Sequence, residues 1–192
     1  MRKVLFLFSS LNDDDVEWMI STGTVQKVAA GTVLVEEGGS LDSLFIVIGG
    51  TFSVSVAAPP QNQPAPPHAA SARGRRVVAH LQAGDVSGEM SFVDSQPPSG
   101  TVTATEPSKV LVLPRARLQE RLQSGTFGLR FYRAIAIFLS HRLRAANAKL
   151  RDAVIDPGRE GTDTLSEVDP ALMEAISVAG ARFAHLMRHV DR

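Results

Sequence analysis

The chain has 192 residues, 44% of them hydrophobic; 20 Lys plus Arg balance 20 Asp plus Glu, and there is no Cys. That length suffices for one domain that folds without staples, plus an appendage. The missing thiols exclude disulfides, thiolate metal sites, Cys nucleophiles and iron–sulfur clusters, and the zero net charge argues against a nucleic-acid binder working by bulk electrostatics.

The neutrality is a sum over unlike parts. Residues 1–70 carry 3 basic and 7 acidic side chains, 71–114 carry 4 and 4, 115–153 carry 9 and 2, and 154–192 carry 4 and 7. One strongly basic segment therefore lies between acidic ones.

Met1-Arg2-Lys3 before the apolar Val4–Phe8 imitates a signal peptide, but the apolar run is short and Asn12-Asp13-Asp14-Asp15 stands where small residues would be cleaved, so secretion is not expected. No run approaches the ~20 residues of a membrane span. Asn12 is expected to cap a helix with Asp13, Asp14 and Asp15 in its first turn, at the positive end of the helix dipole. Val16, Met19 and Ile20 share one face of it. Consecutive aspartates cannot converge on one ion, so no metal is assigned to them.

From Val25 the period changes to short β-rich runs: Val25–Ala29, Thr32–Val35, Ser43–Ile48, Thr51–Val56, Arg76–Leu81, Thr101–Ala104 and Val110–Leu113. Breaks at Gly31, Gly38-Gly39, Gly49-Gly50 and Gly84 predict an antiparallel sandwich or barrel. Residues 57–75 interrupt the rhythm with five prolines and no aliphatic larger than Ala. They are expected to form a disordered hairpin-tip insertion, the alternative being a proline-rich ligand at Pro64–Pro67.

Pro114 in a first turn predicts a short helix Arg115–Gln123 stopped by Gly125. A longer helix, 127–155, follows. Its Tyr132, Ala136, Leu139, Leu143, Ala146, Leu150 and Ala153 step by 4 and 3 as a heptad seam, and Phe131, Ile135 and Phe138 widen the apolar face of its first half. The first half is expected to pack on its own β-domain and the second to offer the seam to a second copy, as a homodimer; an intramolecular cover for the whole seam is the alternative. Residues 156–168 read as a linker. Asp169 and Pro170 open a C-terminal amphipathic helix, 169–192, with Leu172, Ile176, Ala179, Phe183, Leu186 and Val190 on one face. Gly180 inside it is expected to allow close approach of a neighbour.

Chemistry concentrates in Gly84-Asp85-Val86-Ser87-Gly88-Glu89-Met90-Ser91-Phe92 and the Pro97-Pro98-Ser99-Gly100-Thr101-Val102 that follows. A glycine, an acid and one apolar turn predict a short helix whose Met90 and Ser91 amides suit an anion, with Glu89 as acceptor for a hydroxyl. Glu89 capping the turn or pairing with a basic side chain of the long helix is the plainer alternative. Lone Trp18 is expected in the core or at a domain edge, and His141 in solvent or on an acid. No catalytic triad, Walker loop, zinc-protease motif or paired carboxylates occur, so no catalytic residue is assigned and an enzyme is the least expected reading.

In chain order, the N-terminal helix, the glycine-punctuated strands, the Gly-Glu-Met-Ser-Phe segment, the proline eight residues after Glu89, the Thr-Val strand and the long helix together resemble the cyclic-nucleotide-binding domain. This is the barrel shared by catabolite-activator-type regulators, kinase regulatory subunits and nucleotide-gated channels. The resemblance covers about residues 5 to 150 and is strongest at the phosphate-binding cassette, 84 to 102. It implies a mainly β fold with flanking helices: an antiparallel β-barrel of double-stranded β-helix or jelly-roll type with an N-terminal helix, a short cassette helix and long C-terminal helices. Residues 1–126 are the barrel with its N-terminal helix.

The resemblance also implies ligand-binding roles for Gly88, Glu89, Met90, Ser91, Ser99, Gly100 and Thr101, with Glu89 on the ribose and the Met90 and Ser91 amides on the phosphate. The family's phosphate-clamping arginine falls on Pro98, which has neither charge nor donor. A charge-assisted bond is worth about 1.5 to 3 kcal/mol, so its loss weakens cyclic AMP binding by ~10 to 100-fold unless Arg73, Arg75, Arg76, Arg130 or Arg133 replaces it.

Two functions follow. One is a non-enzymatic regulatory sensor that binds cyclic AMP, cyclic GMP or another small anion in the cassette and signals through its C-terminal helices to an unidentified protein partner. The other is a ligand-free dimeric scaffold that has lost nucleotide binding. No cofactor, metal, DNA or membrane is expected, and the expected compartment is the cytoplasm. A transcription factor is disfavoured because the 37 residues after Ile155 offer one helix and net acidic charge.

Overall fold

In the computed structural model, residues 8–58, 74–155 and 170–190 are described. Residues 59–73 of the expected 57–75 insertion and the whole of the expected 156–168 linker lie outside them, and the insertion's ends are corrected, since Ala57 and Arg75 belong to strands. The chain divides into two compact units, one of Thr22–Gln119 and one of the N-terminal helix together with the chain from Glu120 onward.

The first unit is the barrel. Strands β1 (Thr24–Val28), β2 (Val33–Val35), β3 (Ser43–Gly49), β4 (Thr51–Ala57), β5 (Arg75–Gln82), β6 (Val86–Ser87), β7 (Thr101–Ala104) and β8 (Ser108–Pro114) form two four-stranded sheets, ordered β1-β8-β3-β6 and β2-β7-β4-β5. All pairings are antiparallel, as the short glycine-broken runs require. Between the sheets Val28, Val35, Leu41, Phe45, Val47, Phe52, Leu81, Val102, Ala104 and Val110 make one core. Strand β3 is an unbroken apolar run because both its faces are buried: Phe45 and Val47 enter that core, and Leu44, Ile46 and Ile48 are buried on the other side. Two-residue β6 has no sequence signal, being too short to show a period; its register against Phe45 and Ile46 makes it a strand.

Gly50 shows why the β3–β4 turn needs glycine. Its φ is +81°, and an added Cβ would stand 2.1 Å from Ser108 Oγ and 2.7 Å from Ser108 Cα. That hydroxyl is itself held, donating to the Glu106 carbonyl at 2.8 Å.

The second unit is helical. Helix α1 (Asp13–Thr22) opens as the sequence predicts, with a reciprocal cap: the Asp15 amide donates to Asn12 Oδ1 at 2.9 Å and the Asn12 amide to Asp15 Oδ2 at 3.0 Å. The remaining helices are α2 (Glu89–Asp94), the cassette helix of the barrel, α3 (Arg115–Leu122), α4 (Phe127–Ile155) and α5 (Pro170–Val190). None in the described residues is long and apolar enough to cross a membrane.

Asp15 does more than cap. Its carboxylate is fully buried and takes both prongs of Arg130, Nε to Oδ2 at 2.7 Å and Nη2 to Oδ1 at 2.9 Å, with Arg121 Nη2 at 3.9 Å. Burial by itself would raise its pKa, but the Arg130 hydrogen bond, the Asn12 amide and the charges of Arg130 and Arg121 together hold it below the usual carboxylate range. Arg130 is pushed correspondingly up, first by that hydrogen bond.

Trp18 lies edge-on to Phe127 at 5.4 Å, and Phe127 stacks on Phe131 at 5.8 Å. The wide apolar face of α4 thus meets the N-terminal helix, while Tyr132 and Leu143 of the heptad seam are exposed and Leu139 is half-buried. The side chains of Ala146 and Leu150 lie outside the described residues. On α5, Ala179, Phe183 and Leu186 are buried as the 4 and 3 spacing predicts. The expectation for Gly180 is corrected: among the described residues nothing lies within 4 Å of where its Cβ would be, so no close approach there requires it.

Candidate functional site: the cassette

The cassette is built on a turn and a six-residue helix. Gly84 (φ +91°) closes the Gln82–Asp85 turn, where the Gln82 amide donates to Asp85 Oδ2 at 2.8 Å. Strand β6 follows, and Gly88 then starts helix α2 at φ +90°, ψ 0°, with no side chain capping the first turn. A Cβ on Gly88 would meet Leu41 Cδ2 at 2.8 Å and the Ser43 carbonyl at 3.0 Å. Only glycine satisfies both the left-handed backbone and this packing.

The residues the sequence nominates do not share one environment. Glu89, Ser91 and Thr101 are buried, Met90 and Ser99 are exposed, and Gly100 is half-buried. Glu89 is 3% exposed and already held by an interaction of its own. Gly100 lies against the Ser55 carbonyl and the Val54 and Val56 methyls, so a side chain there would crowd strand β4.

Three residues that sequence reasoning did not nominate for the site, Arg115, Glu37 and Gly38, fix the cassette's ends. Arg115, first in α3, lies over the Phe92 ring at 5.2 Å, and its guanidinium reaches Ser95 Oγ and the Leu41 carbonyl at 3.4 Å each. Ser95 terminates α2 in a left-handed conformation, φ +57°. At the other end, the Pro98 carbonyl accepts from the Gly38 amide at 2.9 Å, and Thr101 Oγ1 accepts from the Glu37 amide at 3.0 Å. The cassette loop is therefore sewn to the β2–β3 connection by backbone.

Thr101 also receives Arg75 Nη2 at 2.6 Å; the same guanidinium meets Glu37 Oε2 at 2.5 Å and the Ser55 carbonyl at 3.1 Å, and Nε donates to Ser55 Oγ at 3.1 Å. Its direction follows from register. Val54 pairs with Val102 and Ser55 with Thr101; Val102 is core and Val54 packs against it. Alternation then puts Ser55 and Thr101 on the outer face of the sheet. Strand β5 carries one extra residue opposite Val54/Ser55, a bulge that brings Arg75 rather than Arg76 opposite Ala57 and so onto that outer face.

Arg75 is therefore an outer clasp over Glu37, Ser55 and Thr101. Of the other arginines considered as replacements, Arg130 is held by Asp15, Arg76 and Arg133 are exposed, and Arg73 lies outside the described residues.

The comparisons agree with this architecture. The chain is 29% identical over 121 residues to the cAMP-dependent protein kinase regulatory subunit of Blastocladiella emersonii, covering 63% of this chain and 27% of that protein; it spans about a quarter of that relative's length. A cyclic nucleotide-binding domain from Methylobacillus flagellatus KT is similar in fold, with 23% identity, a TM-score of 0.60 and coverage of 80% of this chain and 77% of that one. The regulatory domain of Toxoplasma gondii PKA, solved with cAMP, aligns at 26% identity and TM-score 0.51, over 62% of this chain and 42% of that one. The family model of the cyclic nucleotide-binding domain matches residues 25–124, just over half of the chain, and the chain belongs to that family.

Proposed function

We propose that this chain is a non-enzymatic sensor that binds a cyclic nucleotide, cyclic AMP or cyclic GMP, or another small anionic ligand in the 84–102 cassette, with a weakened hold on the phosphate. The carrying observation is the start of α2: Gly88 in the left-handed conformation, Glu89 buried beside it and the first turn without a side-chain cap. Glu89 accepts the ribose hydroxyl, the Met90 and Ser91 amides face the phosphate, and Ser99, Gly100 and Thr101 complete the loop. The kinase regulatory subunit and the cAMP-bound domain among its relatives support a nucleotide as the ligand. Output passes through the C-terminal helices to a second copy or a partner protein, for which the exposed Tyr132 and Leu143 are the contact.

Isothermal titration with cyclic AMP and cyclic GMP tests this directly. Binding is expected to be weak in the natural chain, lost in Glu89→Ala and tightened ~10 to 100-fold in Pro98→Arg, which returns the missing charge-assisted bond. No heat from either nucleotide in both the natural chain and Pro98→Arg sinks the cyclic-nucleotide reading.

A second reading, a ligand-free scaffold, is favoured by the engagement of Arg75 and Arg130 elsewhere, which removes two of the five arginines that could stand in for the one missing at Pro98. It expects dimers indifferent to nucleotide and broken by Leu143→Asp with Leu150→Asp. A monomer by light scattering, unchanged by those substitutions, counts against it.

A further inference from the structure

The helical unit holds a group of side chains that neither the family nor the proposed function uses. His185 and His189 stand four residues apart on α5, on neighbouring turns of one face, with ring centroids 4.6 Å apart. Glu17 of α1 reaches them from 168 residues away: its Oε2 lies 3.0 Å from His185 Nε2. One ligating atom from each of the three residues falls within 4.8 Å of the other two.

We propose that Glu17, His185 and His189 form a binding site for a divalent transition-metal cation of the zinc, cobalt, nickel or copper class, which ties the C-terminal helix to the N-terminal one. Two imidazoles and a carboxylate suit these borderline cations, whereas magnesium and calcium take oxygen donors. In a tetrahedral site with bonds of about 2.0 to 2.1 Å, neighbouring ligand atoms are about 3.3 Å apart. The His185–Glu17 pair already has nearly that separation, and a ligating atom of His189 lies within 4.8 Å of both.

The second ring nitrogen of His189 is arranged for this. A carbonyl oxygen can only accept, so the 3.2 Å contact between His189 Nδ1 and the His185 carbonyl makes Nδ1 the donor. The neutral ring then carries its lone pair on Nε2, the state a metal requires; backbone partners of this kind orient metal-binding histidines. The field also favours a cation. Asp13 and Asp14 line, with Glu17 and His185, one cleft of about 590 Å³, although Asp13 is partly neutralised by Arg182 at 2.6 Å. Three protein ligands leave a fourth position to water.

The test uses the whole chain without a histidine tag, stripped with chelator and titrated with Co(II) at neutral pH while the visible d–d absorption is read. Zn(II) is then used as competitor. One saturating equivalent of tetrahedral cobalt, displaced by zinc, is expected. His185→Gln and His189→Gln should each weaken it at least about tenfold. All three side chains are partly or fully exposed, so the variants are expected to fold, and a thermal melt of each without metal verifies that. In the natural chain zinc should raise the melting temperature, because the metal binds only the folded state, and Glu17→Gln should diminish that rise.

Undiminished cobalt binding in the double variant His185→Gln/His189→Gln would place the metal at other histidines and overturn the proposal. So would the absence of any saturable signal, which leaves an ion pair only. Full affinity and full thermal shift in Glu17→Gln would reduce the site to a histidine pair and overturn the link between α1 and α5.

Discussion

Two of the arginine–carboxylate contacts among the described residues are of similar length and unlike consequence. In the helical unit Arg130 grips a fully buried Asp15 through two hydrogen bonds. On the barrel Arg75 meets Glu37 at 2.5 Å, but 41% and 28% of the two side chains remain exposed. A buried carboxylate without its partner loses both its Coulomb attraction and its hydration, whereas an exposed pair exchanges protein contacts for water. Burial, rather than distance, sets what each contact is worth. The barrel is accordingly held by its ladders and apolar core with the clasp as a local fastening, while the helical unit depends on a charged contact between residues 115 positions apart.

The largest break in this comparison should come from Arg130→Leu. It leaves Asp15 buried with the Asn12 amide and only the more distant Arg121 as a cation, and the melting temperature is expected to fall by roughly 6 to 15 °C in a calorimetric or circular-dichroism melt. The pH dependence has a definite sign. In the natural chain the folded pKa of Asp15 is lowered, so its stabilisation is present above the unfolded value of about 3.9 and is lost as pH falls through the lowered folded value. In Arg130→Leu burial is opposed only by the Asn12 amide and Arg121, so that pKa rises from its natural position and the ionised form stabilises the fold less near neutrality. The gap between the two melting temperatures should therefore narrow from pH 7 toward pH 4; a constant gap would mean that Arg130 acts by packing alone.

A comparable loss is expected in the barrel from Gly50→Ala, by a mechanism free of charge. The alanine methyl meets the Ser108 backbone at a positive φ, a cost of about 3 kcal/mol visible in urea unfolding and independent of salt. Arg75→Ala should cost less, about 1 kcal/mol, and the loss should shrink at high salt as an exposed pair is screened. A loss as large and salt-insensitive as that of Arg130→Leu would show that the clasp is structurally equivalent to the buried pair. The smallest effect has the opposite sign: Gly180→Ala should stabilise by roughly 0.5 to 1 kcal/mol, since the added methyl meets open space inside a helix.

Local patterns in the chain were enough to place most of the elements. Asn12 before three aspartates specified the cap of α1, and the run Thr101–Ala104 appears as strand β7 with the same ends. Pro114 and Gly125 bracketed the short helix, whose described end is Leu122. The cassette was legible because a Gly-Glu pair, an apolar turn and a proline-rich loop occur at set spacing. Arg115, Glu37 and the outward aim of Arg75 were not, because the first two act through partners on other elements and the third depends on a bulge of one residue. The His185–His189 spacing stood in the sequence as well, but its third member is on a helix at the far end of the chain.

By itself, then, the sequence determined the periodic elements, the family and the departure at Pro98, since each rests on neighbours within a turn or a strand. The tertiary structure alone decided the bulge-set face of Arg75, the burial of Asp15 beneath Arg130 and the meeting of Glu17 with two histidines. Those depend on register and on contacts between distant segments, and chain order carries no distance information about either.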